Sequence, residues 1–379
     1  MAMMGSMAMA SVGAGSVSLR RGRSCTVCSA QDPILVQCVK GVEVERPPTW
    51  MMRQAGRTMK AYRELVKQYP TFKERSERPE VAAEISLQPF HAYKPDGVVL
   101  FSDILTPLAG MNIPHAIVTG RGPVFDNPYQ SAADIEAITA LTPEESMSFV
   151  GETLRMLRAE VGDKAAVLGF VGAPFTLACY MVEGEKSSTY IKVKEMAFQR
   201  PELLRALLEK LTDAMVVYMR YQADCGAQAV QIFDSWGSKL TPSDWDAFSR
   251  PYLDRMVREF KATHPGVPVI MFAQGSGALL ERFGTLGVDV TSVCWSVDML
   301  DARKRLPEGM AVQGNMDPVH MHGTRDFISA KVVDTITKAG PKGHIMNLGH
   351  GVRPGATEEN IAHWFEQALS FRYKDHGML

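Results

Sequence analysis

The sequence predicts an α/β fold with a parallel sheet and eight strands, the number found in a single-domain (β/α)8 barrel. Short apolar runs alternate with longer helical stretches, eight such runs occur, and the chain is 379 residues long. A barrel of this type occupies about 250 residues or more with insertions, so one elaborated domain can account for the chain. A doubly wound open sheet is also built from βα units and is the architectural alternative.

The predicted strands are mostly apolar segments of four or five residues. In chain order they are residues 49–52, 97–101, 167–171, 229–233, 269–272, 288–291, 310–313 and 344–348. Helices are expected between them, with Thr142 and Thr241 as N-caps, because each precedes a proline and stands three residues before an acid. The uncharged run 165–182 is long enough for a membrane span, but Gly169, Gly172 and Pro174 divide it into a strand, a turn and a helix start.

The first 31 residues differ in composition from the rest of the chain. They contain Arg20, Arg21 and Arg23, six serines and no acidic residue. This composition is typical of an organellar transit peptide and lacks the sustained apolar stretch of a secretory signal, with a disordered tail as the alternative. We therefore expect an organellar transit peptide at 1–31 and a barrel domain at 32–379.

The cysteine and histidine patterns do not predict a metal site. Cys25 and Cys28 have Cys-x-x-Cys spacing but lie in the expected transit peptide, and the other four cysteines are scattered, as buried thiols in a reducing compartment would be. His320 and His322 could chelate a metal, yet no third ligand is near them in sequence. We expect no metal and no cofactor.

A group of basic residues follows the first predicted strand. Arg53 and Arg57 are four apart, so a helical turn between them would let both guanidinium groups bind carboxylates on one side. Lys60 and Arg63 extend the positive charge. The formal net charge is −1, and it becomes about −4 without the three N-terminal arginines. A negative net charge is unfavourable for binding nucleic acid. It also means that a polyanionic ligand needs a local cationic site. Solvated arginines without a ligand are the simpler interpretation.

Four longer segments carry more specific motifs. They are PTWMMRQAGR at 48–57, FSDIL at 101–105, GFVGAPFT at 169–176 and NLGHG at 347–351. Together they resemble the uroporphyrinogen decarboxylase family, with a likeness that extends from about residue 33 to residue 373. Thr58 is a departure, because the family usually has tyrosine there, so an aromatic ring beside the arginine loop is expected to be missing.

The resemblance favours the closed barrel and implies a homodimer, whose active-site mouths could face each other. Because the likeness is to plant-type sequences, it also favours a plastid over a mitochondrion as the destination of the transit peptide, and therefore a location in the plastid stroma. It implies that the substrate is uroporphyrinogen III, whose four acetates become methyl groups as four CO2 molecules leave, without a cofactor. Arg53, Asp103, Tyr180, Ser235 and His350 fall at or after the ends of predicted strands, where barrel enzymes have their active sites. The expected substrate-binding residues are Arg53, Gln54, Ala55, Gly56, Arg57, Phe72, Ser102, Asp103, Tyr180, Ser235 and His350.

Asp103, Arg53 and His350 are the expected catalytic residues. An ionised Asp103 can accept hydrogen bonds from pyrrole N–H groups and stabilise the developing positive charge, although an acid after a strand can instead cap the next helix. His350 could bind a carboxylate or donate a proton, with core packing as its alternative. Tyr180 and Ser235 are expected to donate hydrogen bonds.

Two other functions compete with the decarboxylase. A methyltransferase on the same barrel would use a zinc thiolate, but the chain lacks a His-x-Cys zinc pattern. A tetrapyrrole carrier would need the arginines but not Asp103. The run 274–277 resembles a phosphate cradle without a P-loop lysine or a dinucleotide fingerprint, so it is predicted to be a tight βα turn.

Overall fold

The computed structural model describes residues 32–56, 58–118 and 120–379. The expected transit peptide and Arg57 therefore lie outside the described residues. The strands are β1 (Gly97–Val99), β2 (Ala116–Val118), β3 (Gly122–Val124), β4 (Ala166–Gly172), β5 (Ala229–Phe233), β6 (Val269–Phe272), β7 (Val290–Ser292), β8 (Ala311–Gln313) and β9 (His344–Ile345).

Helices cover the outside of the sheet and connect most of its strands. They are α1 (Ile34–Val39), α2 (Lys60–Gln68), α3 (Phe72–Ser76), α4 (Pro79–Tyr93), α5 (Thr106–Ala109), α6 (Ala132–Glu136), α7 (Pro143–Ser146), α8 (Ser148–Val161), α9 (Pro174–Glu183), α10 (Ile191–Gln199), α11 (Pro201–Asp224), α12 (Pro242–Phe248), α13 (Arg250–Thr263), α14 (Leu280–Phe283), α15 (Met299–Arg305), α16 (Arg325–Ala339) and α17 (Glu358–Ser370). Short 3-10 helices occur at Gly237–Lys239, Ser276–Ala278, Pro318–His322 and Tyr373–His376.

Seven strands form one curled parallel sheet in the order β1-β4-β5-β6-β7-β8-β9, and β2 and β3 form a separate antiparallel hairpin. The strands of the large sheet follow their sequence order because each returns through helices packed on the outside. The predicted parallel α/β fold is confirmed at this level, as a sheet consistent with a TIM-barrel-like architecture. Seven of the eight predicted strands form, some shorter than expected.

The eighth predicted strand, 49–52, is wrong as a regular strand. Thr49 makes only a single parallel bridge with Met346. Prolines at 47 and 48 have no amide donor, so a ladder cannot extend toward the N-terminus. On the other side, the Asp96 amide donates to the Thr49 carbonyl at 2.7 Å, so the segment connects both edges of the sheet.

Side chains accept from most of the amide groups of this segment, although the Trp50 amide donates to the Met346 carbonyl at 3.2 Å. The Thr49 amide donates to Asp96 Oδ2 at 2.8 Å, and the Met52 amide donates to Asn347 Oδ1, also at 2.8 Å. Arg46 forms two hydrogen bonds with the Asp96 carboxylate, at 2.6 and 2.8 Å. These polar contacts fix the segment where strand pairing is minimal.

Apolar packing occupies both faces of the sheet. Inside the curl lies a cluster that includes Trp50, Leu168 and Ile270, while larger clusters fill the space between the strands and the helices.

Helix starts follow capping rules in part. Thr142 and Thr241 both stand at the N-cap of a helix, as predicted. The Thr241 hydroxyl accepts from the Asp244 amide, whereas the Thr142 side chain makes no capping hydrogen bond.

We expect Asp96→Ala to destabilise the fold by about 3 kcal/mol, because it leaves a largely buried Arg46 and the Thr49 amide without their acceptor. Urea unfolding monitored by circular dichroism measures this. Glu202→Ala is the control, because Glu202 is 83% exposed in its ion pair with Arg205 and should change little. Equal effects of the two substitutions would contradict the structural role of Asp96.

Candidate active site

A cleft of about 1030 Å³ opens at the carboxyl end of the parallel strands. Its volume is at the upper end of the range usual for small-molecule sites. Nine of the eleven residues predicted to bind substrate line it, although they come from distant parts of the sequence. These nine are Arg53, Ala55, Gly56, Phe72, Ser102, Asp103, Tyr180, Ser235 and His350.

The other two predicted residues do not belong to this set. Gln54 is buried beneath the loop, where its Nε2 donates to the Gly97 carbonyl at 2.9 Å and its Oε1 accepts from the Met51 amide at 3.0 Å. Its contacts therefore hold the loop against β1, and its part in substrate binding stays a prediction. Arg57 lies outside the described residues.

Arg53 is positioned by an unusual backbone and by a glycine. Its φ of 63° is in the left-handed region, which non-glycine residues seldom adopt outside special sites. Its side chain packs so closely on Gly351 that a Cβ added there would lie 2.4 Å from Arg53 Cδ. A Cβ at Gly349 would likewise lie 2.2 Å from the Trp295 amide nitrogen. The glycines on either side of His350 are thus required by neighbouring chain segments.

Asp103 is half-buried in the loop that follows β1. Its Oδ1 accepts from the Leu105 amide at 2.9 Å, while its own amide donates to Thr106 Oγ1 at 3.2 Å. Helix α5 begins at Thr106 with Leu105 as its N-cap, so the helix-cap alternative for Asp103 is wrong. Burial raises the pKa of the Asp103 carboxyl above its ordinary value, while the Leu105 hydrogen bond and the charge of Arg53 lower it.

Tyr180 stands on α9 in a group of aromatic rings. Its ring meets those of Tyr190 and Trp236 edge to face, with centroid distances of 6.5 and 5.9 Å. Burial raises the pKa of Tyr180 to about 12, and the charge of Asp103 also raises it. The phenol therefore keeps its proton at neutral pH and can serve as a hydrogen-bond donor.

His350 is buried at the cleft wall in contact with β6 and the turn that follows it. Its Nε2 lies 3.2 Å from Gln274 Oε1, and its ring meets Phe272 edge to face at 5.8 Å. The predicted tight turn at 274–277 is present, with Gly275 at a φ of 64°. Gln274 itself lines the cleft and is a site residue that the sequence reasoning missed.

The remaining predicted residues form walls of the cleft. Ser102 Oγ donates to Thr106 Oγ1 at 3.1 Å, so its hydroxyl helps to hold the Asp103 loop. The Phe72 ring packs against Phe101 at 5.4 Å. Despite the threonine at position 58, the Tyr62 ring packs on Gly56, where an added Cβ would lie 3.3 Å from it. An aromatic ring therefore does stand beside the arginine loop.

The cleft wall is strongly cationic. Its charged side chains among the described residues are one carboxylate, Asp103, and the cations Arg53, Arg75, Arg121, Lys186, Lys239 and Arg353. Five of these cations were not predicted, because each follows a different strand or helix and no local motif connects them.

The predicted contribution of Lys60 and Arg63 to the cationic site is wrong. Neither lines the cleft. The Lys60 amide donates to Glu358, and the Arg63 guanidinium lies 3.6 Å from the same carboxylate. The Arg63 side chain therefore faces α17, and the backbone of Lys60 contacts the same carboxylate at the start of α2.

A layer of amides lies beneath the cleft. Trp50 Nε1 donates to Gln313 Oε1 at 2.9 Å, which orients Gln313 so that its Nε2 donates to Gln231 Oε1 at 2.9 Å. Tryptophan only donates, so this chain of bonds fixes which end of each amide is which. Sequence reasoning did not identify these two glutamines, because in a strand they resemble ordinary polar residues.

Among residues 32–379, apart from the two undescribed positions, no three His, Cys, Asp or Glu side chains are placed to hold a metal ion. The four described cysteines are buried free thiols, and burial raises the pKa of Cys38 to about 12. His320 packs edge to face on Phe327.

No helix in the described part of the chain has the length and apolar character needed to cross a membrane.

Comparisons with known proteins identify relatives along most of the chain. The family model "Uroporphyrinogen decarboxylase (URO-D)" matches residues 30–370. Uroporphyrinogen decarboxylase 2, chloroplastic, from Arabidopsis thaliana is 55% identical over 347 residues, which are 92% of this chain and 88% of that protein. Uroporphyrinogen decarboxylase from the Microcystis aeruginosa strain NIES-843 is 52% identical over 347 residues, 92% of this chain and 99% of that protein.

A solved structure of a methyltransferase from Methanosarcina mazei aligns with a TM-score of 0.72, covering 89% of this chain and 97% of that one. The two sequences are only 17% identical. This similarity concerns the fold and does not extend to the reaction.

Proposed function

Because the chain belongs to the uroporphyrinogen decarboxylase family, we propose that its cleft converts uroporphyrinogen III to coproporphyrinogen III by removing four carboxyl groups. The enzyme is a carboxy-lyase of porphyrin biosynthesis, which supplies haem and chlorophyll. The observation that supports this use of the cleft is a half-buried carboxylate, Asp103, on a wall whose other charged side chains, among the described residues, are cations.

The reaction makes and removes positive charge on the substrate. Protonation of the pyrrole beside an acetate gives a cationic ring, which accepts the electron pair of the breaking C–C bond as CO2 leaves. A second proton transfer then completes the methyl group. A fixed carboxylate beside the pyrrole N–H groups stabilises this cation, and we assign that role to Asp103. The protein needs only to provide charge and position.

The cationic residues bind the carboxylates of the substrate. Arg53, and Arg57 with it, would hold acetate or propionate groups and orient the macrocycle. Arginine is a poor proton donor because its pKa exceeds about 12. Its contacts should not stabilise the departing carboxylate itself, because that would favour the reactant over the transition state.

Three further side chains complete the proposed site. Tyr180, which keeps its proton, and Ser235 would donate hydrogen bonds to substrate carboxylates. His350, whose Nε2 faces Gln274, would recognise a carboxylate or deliver a proton. Ala55, Gly56, Phe72 and Ser102 would provide the shape of the wall.

The two rival functions make different demands on these residues. A zinc-dependent methyltransferase needs a metal site, and the described residues form no suitable cluster. A tetrapyrrole carrier would use the cations but would not require Asp103. Turnover that depends on Asp103 in the presence of a chelator would exclude both.

We extend the proposal to the architecture and location of the protein. Segment 49–52 would be the eighth strand of a (β/α)8 barrel domain spanning 32–379, since it bonds to both edges of the sheet. We assign the enzyme to the chloroplast, as relatives from Arabidopsis, rice and tobacco are named chloroplastic. Residues 1–31 would be the transit peptide.

We also propose a homodimer with facing clefts. Analytical ultracentrifugation of residues 32–379 at micromolar concentration should give the mass of two chains. A single species at the monomer mass, unchanged by uroporphyrin, would exclude the dimer.

Asp103→Asn should lower kcat by about 10²-fold or more, because asparagine cannot supply the negative charge. Carboxyl loss is followed by chromatography of the oxidised products after anaerobic incubation with uroporphyrinogen III. For the wild type, activity needs ionised Asp103 and burial raises its pKa. The kcat/KM should therefore fall, as the pH is lowered, at a pH above the ordinary carboxyl value of about 3.9.

Unfolding measurements on the same variant test whether the loss of activity is chemical. A raised carboxyl pKa means that the ionised form destabilises the folded state above that pKa. Asparagine can still accept from the Leu105 amide, so Asp103→Asn should be at least as stable as the wild type at pH 7. A lower urea midpoint for the variant would indicate a structural role for the carboxylate.

Gly351→Ala should reduce kcat/KM by about 10²-fold, because the new Cβ would displace the Arg53 side chain. Gly266→Ala is the matched control, since a Cβ there would meet no described atom within 4 Å and the φ is not positive. Both variants should unfold near the wild-type temperature. Full activity of Gly351→Ala would show that Arg53 is not required where the structure places it.

A further inference from the structure

Two half-buried cations on the cleft wall lack protein partners in the described part of the chain, as does the exposed Lys186. Within the described part of the chain, no hydrogen bond or ion pair is made by the side chains of Lys239 and Arg353, and both residues are half-buried. Arg121, by contrast, is already paired with Glu185 at 2.9 Å on the exposed rim. Unpaired cations that are partly removed from water favour an anionic ligand.

The strand order places these two cations on opposite sides of the cleft. Lys239 ends the 3-10 helix after β5, whereas Arg353 lies in the loop after β9. Along the curled sheet, β5 is separated from β9 by β6, β7 and β8. In the other direction it is separated by β4, β1 and the bridging segment at Thr49. Equal separations both ways put Lys239 and Arg353 across the mouth from each other.

We propose that Lys239 and Arg353 form a two-sided clamp that binds carboxylates at opposite edges of the macrocycle. This inference rests on the proposed function and identifies specificity residues for the same site. Arg353 lies close in sequence to Gly351, on which the Arg53 side chain packs, whereas Lys239 follows β5 on the other side of the cleft.

A clamp of this kind suits a substrate that must be decarboxylated four times. Each pyrrole begins with one acetate and one propionate, and only the acetate is lost. Whichever acetate is presented for reaction, propionates remain at the other edges of the ring for the two cations to bind. The clamp would therefore hold the intermediates as well as the first substrate.

The test compares Lys239→Gln, Arg353→Gln and the double variant with the wild type. Lys164→Gln is the control, because Lys164 is exposed just before β4 at the other end of the sheet. KM and kcat are measured with uroporphyrinogen III, which has eight carboxylates, and with a porphyrinogen that has five. Each single variant should raise KM about tenfold for both substrates, and the double variant about 100-fold, with kcat changed less than threefold.

Product analysis provides a readout that a purely structural role would not alter. Weaker retention should make the variants release seven-, six- and five-carboxyl intermediates, while thermal unfolding stays at the wild-type temperature. An unchanged KM in both single variants would overturn the clamp. A KM increase for the eight-carboxyl substrate alone would also overturn it, because the bound groups would then be acetates.

Binding of uroporphyrin, the oxidised eight-carboxyl form, separates this inference from the proposed function. Trp236 lines the cleft, so quenching of tryptophan fluorescence reports binding without turnover. A wild type that binds uroporphyrin but does not decarboxylate uroporphyrinogen would refute the proposed function. In that case weaker binding by Lys239→Gln and Arg353→Gln would still support the clamp, and unchanged binding would refute it.

Discussion

The cleft depends on how a short segment before Arg53 is fixed to both edges of the parallel sheet. Strand pairing contributes little to fixing this segment, because Thr49 makes a single bridge. Asp96 holds the segment on one side, and on the other Asn347 Oδ1 accepts from the amides of both Met52 and Leu348. These two side chains satisfy buried amides that would otherwise lack partners. Consequently the loop with Arg53 and the loop with His350 are fixed relative to each other.

The protein alone does not balance the charges that line the cleft. Burial disfavours ionised Asp103, and Arg53 offsets this only in part. A polyanionic substrate changes the balance, because its carboxylates neutralise the cations while its pyrrole N–H groups can donate to Asp103. We infer that the site is preorganised for a ligand that is negative at its edge and a hydrogen-bond donor at its centre. Such a distribution fits a porphyrinogen better than a flat aromatic acid or a nucleotide.

Sequence reasoning found features that depend on local order. The strands, the Thr241 cap and the strand-end positions of Arg53 and Asp103 follow from short patterns of apolar and capping residues. It failed where distant segments decide the outcome. Arg63 follows Arg53 in sequence but pairs with Glu358, whereas Lys239 and Arg353 reach the cleft from strands far apart in the chain. Spacing alone cannot reveal which side of a helix faces a cleft.

The Gly-His-Gly motif shows why longer motifs carry more information than single residues. A Cβ at Gly349 would collide with the Trp295 backbone, and one at Gly351 with the Arg53 side chain. The two glycines thus record contacts with two other parts of the chain, while His350 between them contacts a third, through Gln274. A histidine alone would be compatible with ordinary core packing. Each residue of the motif is constrained by a different neighbouring segment. The motif therefore depends on how these segments meet at the strand ends, and it carries information about the geometry of the cleft as well as its chemistry.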